Sequence, residues 1–135
     1  MRRIDRMTKA VVAALEDIKG RDIVVLDVSP MTAMFDRMVI CTADSARQTR
    51  ALANSVYDKL KAMGYRVQSM EGEQTGDWVL VDLGDVVVHI MQPATRQYYN
   101  LEELWATAKP RVRRVRHAAA PGRRAERQPK PAARA

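Results

Sequence analysis

The stretch WVLVDLGDVVVHIM, residues 78–91, decides the fold. Two short runs rich in valine flank Gly84-Asp85, and a two-residue connection of this kind favours a tight β-hairpin. With these two residues as the loop, Leu80 is predicted to lie opposite His89 on the neighbouring strand. The stretch therefore predicts two antiparallel strands in a sheet.

The hairpin has two different faces, because side chains alternate across a strand. One face is wholly aliphatic and is expected to pack against helices: Val79, Val81, Leu83, Val86, Val88 and Ile90. The other, called the mixed face below, combines an aromatic, an acid and a histidine with apolar side chains: Trp78, Leu80, Asp82, Val87, His89 and Met91. Interface cores favour Trp and Met, which indicates a surface that meets a partner. The alternative is a second, partly polar core face covered by the last helix.

The flanking sequence adds further elements at helical or strand spacing. Ser45 with Gln48 three residues later resembles a capping box, which predicts a helix start. The predicted elements are helices at 4–19, 45–64 and after 93, and strands at 22–28, 38–42 and 65–70 besides the hairpin.

The element order is αββαβββα. The strand, helix and strand between residues 38 and 70 favour a right-handed parallel crossover, whereas the hairpin is antiparallel. The sequence therefore predicts one α/β domain, with helices packed on a mixed sheet of about five strands.

Length and charge divide the chain in two. A chain of 135 residues is enough for one domain, and its net charge of +7 is unevenly spread. Residues 111–135 carry nine Arg or Lys and one acid, whereas residues 1–110 carry 14 basic and 15 acidic residues. We expect a domain at 1–110 and a disordered basic tail at 111–135. Such a tail binds polyanions such as RNA or only keeps the protein soluble.

Several classes of protein are disfavoured. The single cysteine, Cys41, excludes an internal disulfide, and the chain shows no apolar run of membrane-spanning length and no signal peptide, which predicts a cytoplasmic protein. No glycine-rich phosphate loop is present. A nucleophilic pair of Cys41 and His89 is conceivable, but a thiol inside an apolar strand is usually inert. We therefore expect no catalytic residues, no metal and no cofactor.

Six segments, in this order and spacing, resemble the ribosomal silencing factor family, also called the Iojap-related proteins. The resemblance covers about residues 8–108 and is strongest in its last segment. The segments are DRMVI at 36–40, SARQ at 45–48, EG at 71–72, WVLVD at 78–82, VVH at 87–89 and RQYYNLEELW at 96–105.

The resemblance implies a fold similar to nucleotidyltransferases in a family not known for catalysis. It also implies binding to the inter-subunit face of the large ribosomal subunit, through ribosomal protein number fourteen. Joining of the small subunit would then be blocked, and translation repressed, when nutrients fall. Large-subunit assembly, the role of relatives in organelles, is the alternative; a nucleotidyltransferase-like enzyme is a further one. Arg37 stands where relatives usually carry an aromatic.

These two lines of reasoning meet on the mixed face. We expect Trp78, Leu80 and Met91 to supply apolar contacts to the ribosomal protein. Arg96 and Tyr99 would add polar contacts or brace the last helix. The mixed face could equally form a homodimer of the free protein. Two alternatives stay open: Arg96 and Trp105 only pin the last helix, and Asp82 only orients a neighbour. The expected partner-binding residues are Trp78, Leu80, Asp82, His89, Met91, Arg96, Tyr99 and Trp105.

Overall fold

A six-stranded mixed sheet organises the chain in the computed structural model, which describes residues 2–105 and the backbone of residues 109–115. The prediction of an α/β domain with a mixed sheet is confirmed, and β6 is an additional strand. In chain order the elements are α1 (Arg3–Asp17), β1 (Arg21–Asp27), β2 (Arg37–Thr42), α2 (Ala46–Ala62), β3 (Ser69–Glu71), β4 (Trp78–Asp82), β5 (Val86–Met91), α3 (Pro93–Tyr99), α4 (Leu101–Leu104) and β6 (Lys109–Val115).

The strands lie in the order β3-β4-β5-β2-β1-β6. The hairpin of β4 and β5 has the predicted register, with Leu80 opposite His89. The central pair is β2 and β5, which run parallel. The chain leaving β2 through α2 therefore does not return beside β2 but passes β5 and β4 to reach the edge at β3. Strand β3 still runs parallel to β2, as the predicted crossover requires, with β5 and β4 between them.

The core lies between the sheet and the α1–α2 layer. All six residues of the aliphatic hairpin face are buried there, as predicted. Each helix contributes an apolar stripe, such as Met7, Val11 and Leu15 in α1. Full burial of such a side chain contributes roughly 1.5–3 kcal/mol, so this layer stabilises the packing of the sheet against both helices.

The start of α2 follows the predicted cap in part. The Ser45 hydroxyl accepts a hydrogen bond from the backbone N–H of Gln48 at 3.0 Å. The Gln48 side chain, however, accepts from the N–H of Asp44 rather than from that of Ser45. The reciprocal contact is thus shifted by one residue, and it still satisfies a backbone donor before the helix.

Two predicted elements differ in extent. The strand predicted at 65–70 is reduced to Ser69–Glu71, since Tyr65 and Val67 pack against the core from an irregular segment. The single helix predicted after residue 93 is two short helices. Asn100 separates them, because its φ of 47° is left-handed and ends α3.

Strand β6 pairs antiparallel with β1 along residues 109–115. The predicted boundary between residues 110 and 111 therefore falls inside a strand. The apolar residues of this segment do not alternate, which is why the sequence pattern did not indicate a strand. The rest of the predicted tail, residues 116–135, lies outside the described residues.

Candidate functional site

The mixed face lies on the side of the sheet away from α1 and α2, and among residues 2–105 only one end of it is covered. There α3 and α4 close over a second apolar cluster that includes Ile40 and Met91, with Trp78, Leu101 and Trp105 at its margin. Met91 is fully buried. Met91 was expected to touch a partner directly, but its side chain lies inside this cluster and offers no surface in the free domain.

The other end of the mixed face is open and forms a groove of about 660 Å³. Its floor is Leu80, Val87 and His89, and Asp82 and Asp85 lie at one end. The remaining lining residues come from the loop before β2, the hairpin turn and α4: Met34, Phe35, Met38, Gln68, Gly84, Leu101 and Trp105. The groove is thus apolar with acidic side chains at one end, which suits an apolar segment that carries a positive charge.

The loop between β1 and β2 forms one wall of this groove. Met34 is 82% exposed, which is unusual for a large apolar side chain, and Phe35 packs 5.9 Å from the Trp105 ring centroid. Sequence reasoning missed this loop as part of the site. Its run of two methionines and a phenylalanine was the signal that could have indicated a binding surface.

A row of aromatic side chains runs from the groove floor to the surface of α3. The Trp78 ring lies 5.8 Å from the His89 ring and 4.8 Å from that of Tyr99. Tyr98 follows, edge-on to Tyr99 at 5.0 Å. The two tyrosines are 61% and 53% exposed, so this aromatic row reaches solvent. Tyr98 was not among the expected site residues.

His89 is uncharged at neutral pH. Burial lowers its pKa to about 4, since the low-polarity surroundings disfavour the imidazolium. Its Nδ1 accepts a hydrogen bond of 3.0 Å from the Trp78 indole N–H. In the neutral ring the proton therefore resides on Nε2, and His89 holds the indole in place rather than offering a charge to a partner.

Acid is expected to weaken the fold through His89. In the unfolded chain the pKa of His89 is about 6.5, whereas in the folded domain it is about 4. Between these two pH values the unfolded state binds a proton at His89 and the folded state does not, which favours unfolding. Stability should fall by on the order of 3 kcal/mol as the pH drops from 6.5 to 4. Urea unfolding across this range checks it, with His89→Gln as the control. If wild type and variant lose stability in parallel, His89 is not the cause.

Arg96 joins α3 to the sheet. Its Nη1 donates to the Asp22 carbonyl and the Thr42 hydroxyl, each at 2.7 Å, and its Nε donates to Glu102 at 3.0 Å. Only 11% of the side chain is exposed. This geometry favours the alternative in which Arg96 pins the last helices, and it makes Arg96 a positioning residue for the groove wall.

A buried ion pair supports the loop beside the groove. Only 2% of the Arg37 side chain is exposed; its Nη1 lies 3.0 Å from Asp27 and its Nη2 lies 3.5 Å from Asp5. Within residues 2–105 its Nε finds no hydrogen-bond partner. The backbone N–H groups of Asp36 and Arg37 donate to the Asp85 carbonyl, which links this loop to the hairpin turn.

The structure does not assemble the conceivable nucleophilic pair. Cys41 lies in the core beneath α1 and α2, where burial raises its pKa to about 12, whereas His89 lies on the opposite face of the sheet. In the part of the chain that the structure describes, no three His, Cys, Asp or Glu side chains are grouped to hold a metal ion. No helix among those residues is long and apolar enough to span a membrane.

Known proteins resemble this chain over most of its length. The sequence model described as "Ribosomal silencing factor during starvation" matches residues 2–135. A Chromobacterium violaceum protein named "Ribosomal silencing factor RsfS" is 54% identical over 107 residues, which are 79% of this chain and 88% of that protein. A mouse protein named "Mitochondrial assembly of ribosomal large subunit protein 1" is 36% identical, over 70% of this chain and 42% of its own length.

Solved structures resemble the fold as well. A crystal structure of a Chromobacterium violaceum protein superposes with a TM-score of 0.77 at 49% sequence identity. The match covers 89% of this chain and 98% of the other.

Proposed function

The chain belongs to the ribosomal silencing factor family, and on that premise we propose that it is a cytoplasmic translational repressor that binds the large ribosomal subunit through the mixed face. Ribosomal protein number fourteen, at the inter-subunit face, is the proposed contact. The bound domain occupies space that the small subunit needs, so joining is blocked without any chemical step.

One observation carries the proposal: the groove and the aromatic row form one exposed surface with anchors typical of protein interfaces. Trp and Tyr are enriched among residues whose truncation costs most binding energy. Here Trp78 and Tyr99 lie in contact beside an apolar groove with Asp82 and Asp85 at one end. Asp82 favours a partner segment that carries lysine or arginine, whereas Asp85 already pairs with Arg3.

A role in large-subunit assembly is the second candidate, and the name of the mouse relative favours it. The same surface would serve both roles, because each begins with binding to the large subunit. We do not assign an enzymatic activity. The groove is lined by acids at one end and by the neutral His89. Cys41, the candidate nucleophile, lies on the opposite face of the sheet and cannot act together with His89.

Co-sedimentation of the purified protein with separated ribosomal subunits, followed by a subunit-joining assay, tests the proposal. Binding to the large subunit alone with inhibited joining is expected. Binding to the large subunit without inhibition of subunit joining would favour the role in large-subunit assembly instead. Absence of binding at moderate salt would overturn both roles.

The basic tail is proposed to add a salt-sensitive attraction to nearby ribosomal RNA. Residues 116–135 should be deleted rather than 111–135, since β6 extends to Val115. We expect the shortened protein to bind large subunits more weakly at 50 mM salt and almost equally well at high salt, because phosphate contacts are screened. Equal affinity at low salt would contradict a role of the tail in binding.

A further inference from the structure

The outer surface of α1 is basic over its first half. Arg2, Arg6 and Lys9 are spaced four and three residues apart, which aligns them on one side of the helix. All three are exposed, and the stripe is about 10 Å long. The last turn of α1 carries the exposed acids Glu16 and Asp17 instead. The positive charge is therefore confined to one end.

The end of α2 adds to the same region, because the two helices are antiparallel. The Ser55 hydroxyl donates to the Ala14 carbonyl at 2.8 Å, and the Arg3 guanidinium lies 5.2 Å from the ring centre of Tyr65, just beyond α2. The last turn of α2 thus lies beside the first turns of α1. It contributes the half-buried Lys59, and Arg66 follows in the next segment.

The nearby acids, including the exposed Asp58 beside Lys59, offset part of this charge. Asp85 pairs with Arg3 at 2.9 Å, and Asp5 lies 3.5 Å from both Arg2 and the buried Arg37. Within residues 2–105, the side chains of Lys9, Lys59 and Arg66 form no ion pair. The net charge of −1 over residues 1–110 does not by itself predict RNA binding by the domain. That sum did not show that the exposed cations of α1 lie at one end of the helix and its exposed acids, Glu16 and Asp17, at the other.

We propose that this basic end, formed by Arg2, Arg6, Lys9, Lys59 and Arg66, binds the phosphate backbone of RNA. It lies on the helix side of the sheet and the groove lies on the other side, and the two surfaces approach each other at the edge where Arg3 pairs with Asp85. Flexible cationic side chains on a convex helical surface contact phosphates and do not read bases, so the binding is independent of sequence. The source of the RNA, the large ribosomal subunit, rests on the proposed function. Two contacts on opposite sides would fix the orientation of the bound domain.

The test compares two full-length variants that each remove two exposed cations. Lys9→Gln/Arg66→Gln alters the basic end, and Lys19→Gln/Arg47→Gln alters the opposite end of the helix layer. Affinity for large subunits and for a short RNA duplex is measured between 50 and 200 mM salt. Each lost phosphate contact reduces the salt slope by ~0.7–0.9. Over this fourfold range, the affinity of the first variant should fall roughly tenfold less than that of the wild type, and that of the second should match the wild type.

If the affinities of the two variants for large subunits and for the RNA duplex depended equally on salt, only the total charge would matter, and the proposal would be overturned. If the wild type does not bind large subunits, the proposed function fails and the RNA duplex alone decides this inference. With the RNA duplex, a weaker salt dependence of affinity in Lys9→Gln/Arg66→Gln alone supports the proposal. Equal salt dependence in the two variants overturns it. The tail is present in every protein compared, so its own contribution cancels.

Discussion

Trp78→Ala is expected to weaken binding to the large ribosomal subunit at least thirtyfold, which corresponds to about 2 kcal/mol. The indole lies between His89 and Tyr99 and donates a hydrogen bond of 3.0 Å to the His89 ring. Its removal takes away the largest side chain of the aromatic row and the support of Tyr99. Equilibrium co-sedimentation at several protein concentrations measures the change.

The matched control is Met63→Ala. Met63 is also large, apolar and 49% exposed, but it follows α2 on the other side of the sheet. The Met63→Ala variant should bind large subunits with the same affinity as the wild type. Since Trp78 also packs on the cluster under α3, circular dichroism and urea unfolding must accompany the binding data. If Trp78→Ala unfolds, Tyr99→Ala replaces it, because that ring is half exposed. A folded variant with wild-type affinity would show that partner binding occurs elsewhere.

Asp27→Ala is expected to lower the free energy of unfolding by about 3 kcal/mol. The variant leaves the guanidinium of Arg37, 2% exposed, without its anion at 3.0 Å. Asp5 remains at 3.5 Å, which keeps the loss near the lower end of the range for a broken buried pair. Urea denaturation with an unchanged slope against denaturant measures the difference.

Replacing the cation instead should cost far less. Arg37→Met fills a similar volume without a charge, and the Asp27 carboxylate that it leaves is 17% exposed and still accepts hydrogen bonds from the Ser29 N–H and hydroxyl, so we expect a loss of about 1 kcal/mol. The double variant Asp27→Ala/Arg37→Met should recover much of what Asp27→Ala loses. Asp44→Ala is the matched control, because its pair with Arg21 is solvent-exposed and worth less than about 1 kcal/mol. Similar losses for Asp27→Ala and Asp44→Ala would contradict the assignment of Arg37 as a buried charge that depends on Asp27.

The hairpin could be predicted from the sequence because its determinants are local. A two-residue loop at Gly84-Asp85 sets the register, and alternation then places every side chain on one face or the other. The aliphatic core face followed from that, and so did the position of Leu80 and His89 opposite each other on the mixed face. Alternation does not indicate which part of the mixed face is covered by the last helices. Met91 was therefore assigned to the surface.

The missed features depend on contacts between distant residues. The parallel pairing of β2 with β5 joins segments with α2 and two strands between them, and no local pattern distinguishes it from pairing with β3. Arg37 shows the same limit. A charge at the start of an apolar strand was visible, but its partners come from α1 and β1, 32 and 10 residues away. Charge segregation on the helices was likewise hidden, since it requires knowing that α1 and α2 are antiparallel.

The parallel β2–β5 pair at the centre of the sheet has a consequence for synthesis. Met91 is the partner of Thr42, so the central ladder closes only after residue 91 has been added to the chain. Pairing of this long range is slow because a large loop must close first. Until then the hairpin of β1 and β2 has an unpaired edge, and the groove has neither its floor nor its aromatic row. The proposed binding surface therefore forms only late in synthesis, after β5 and the last helices have been added to the chain.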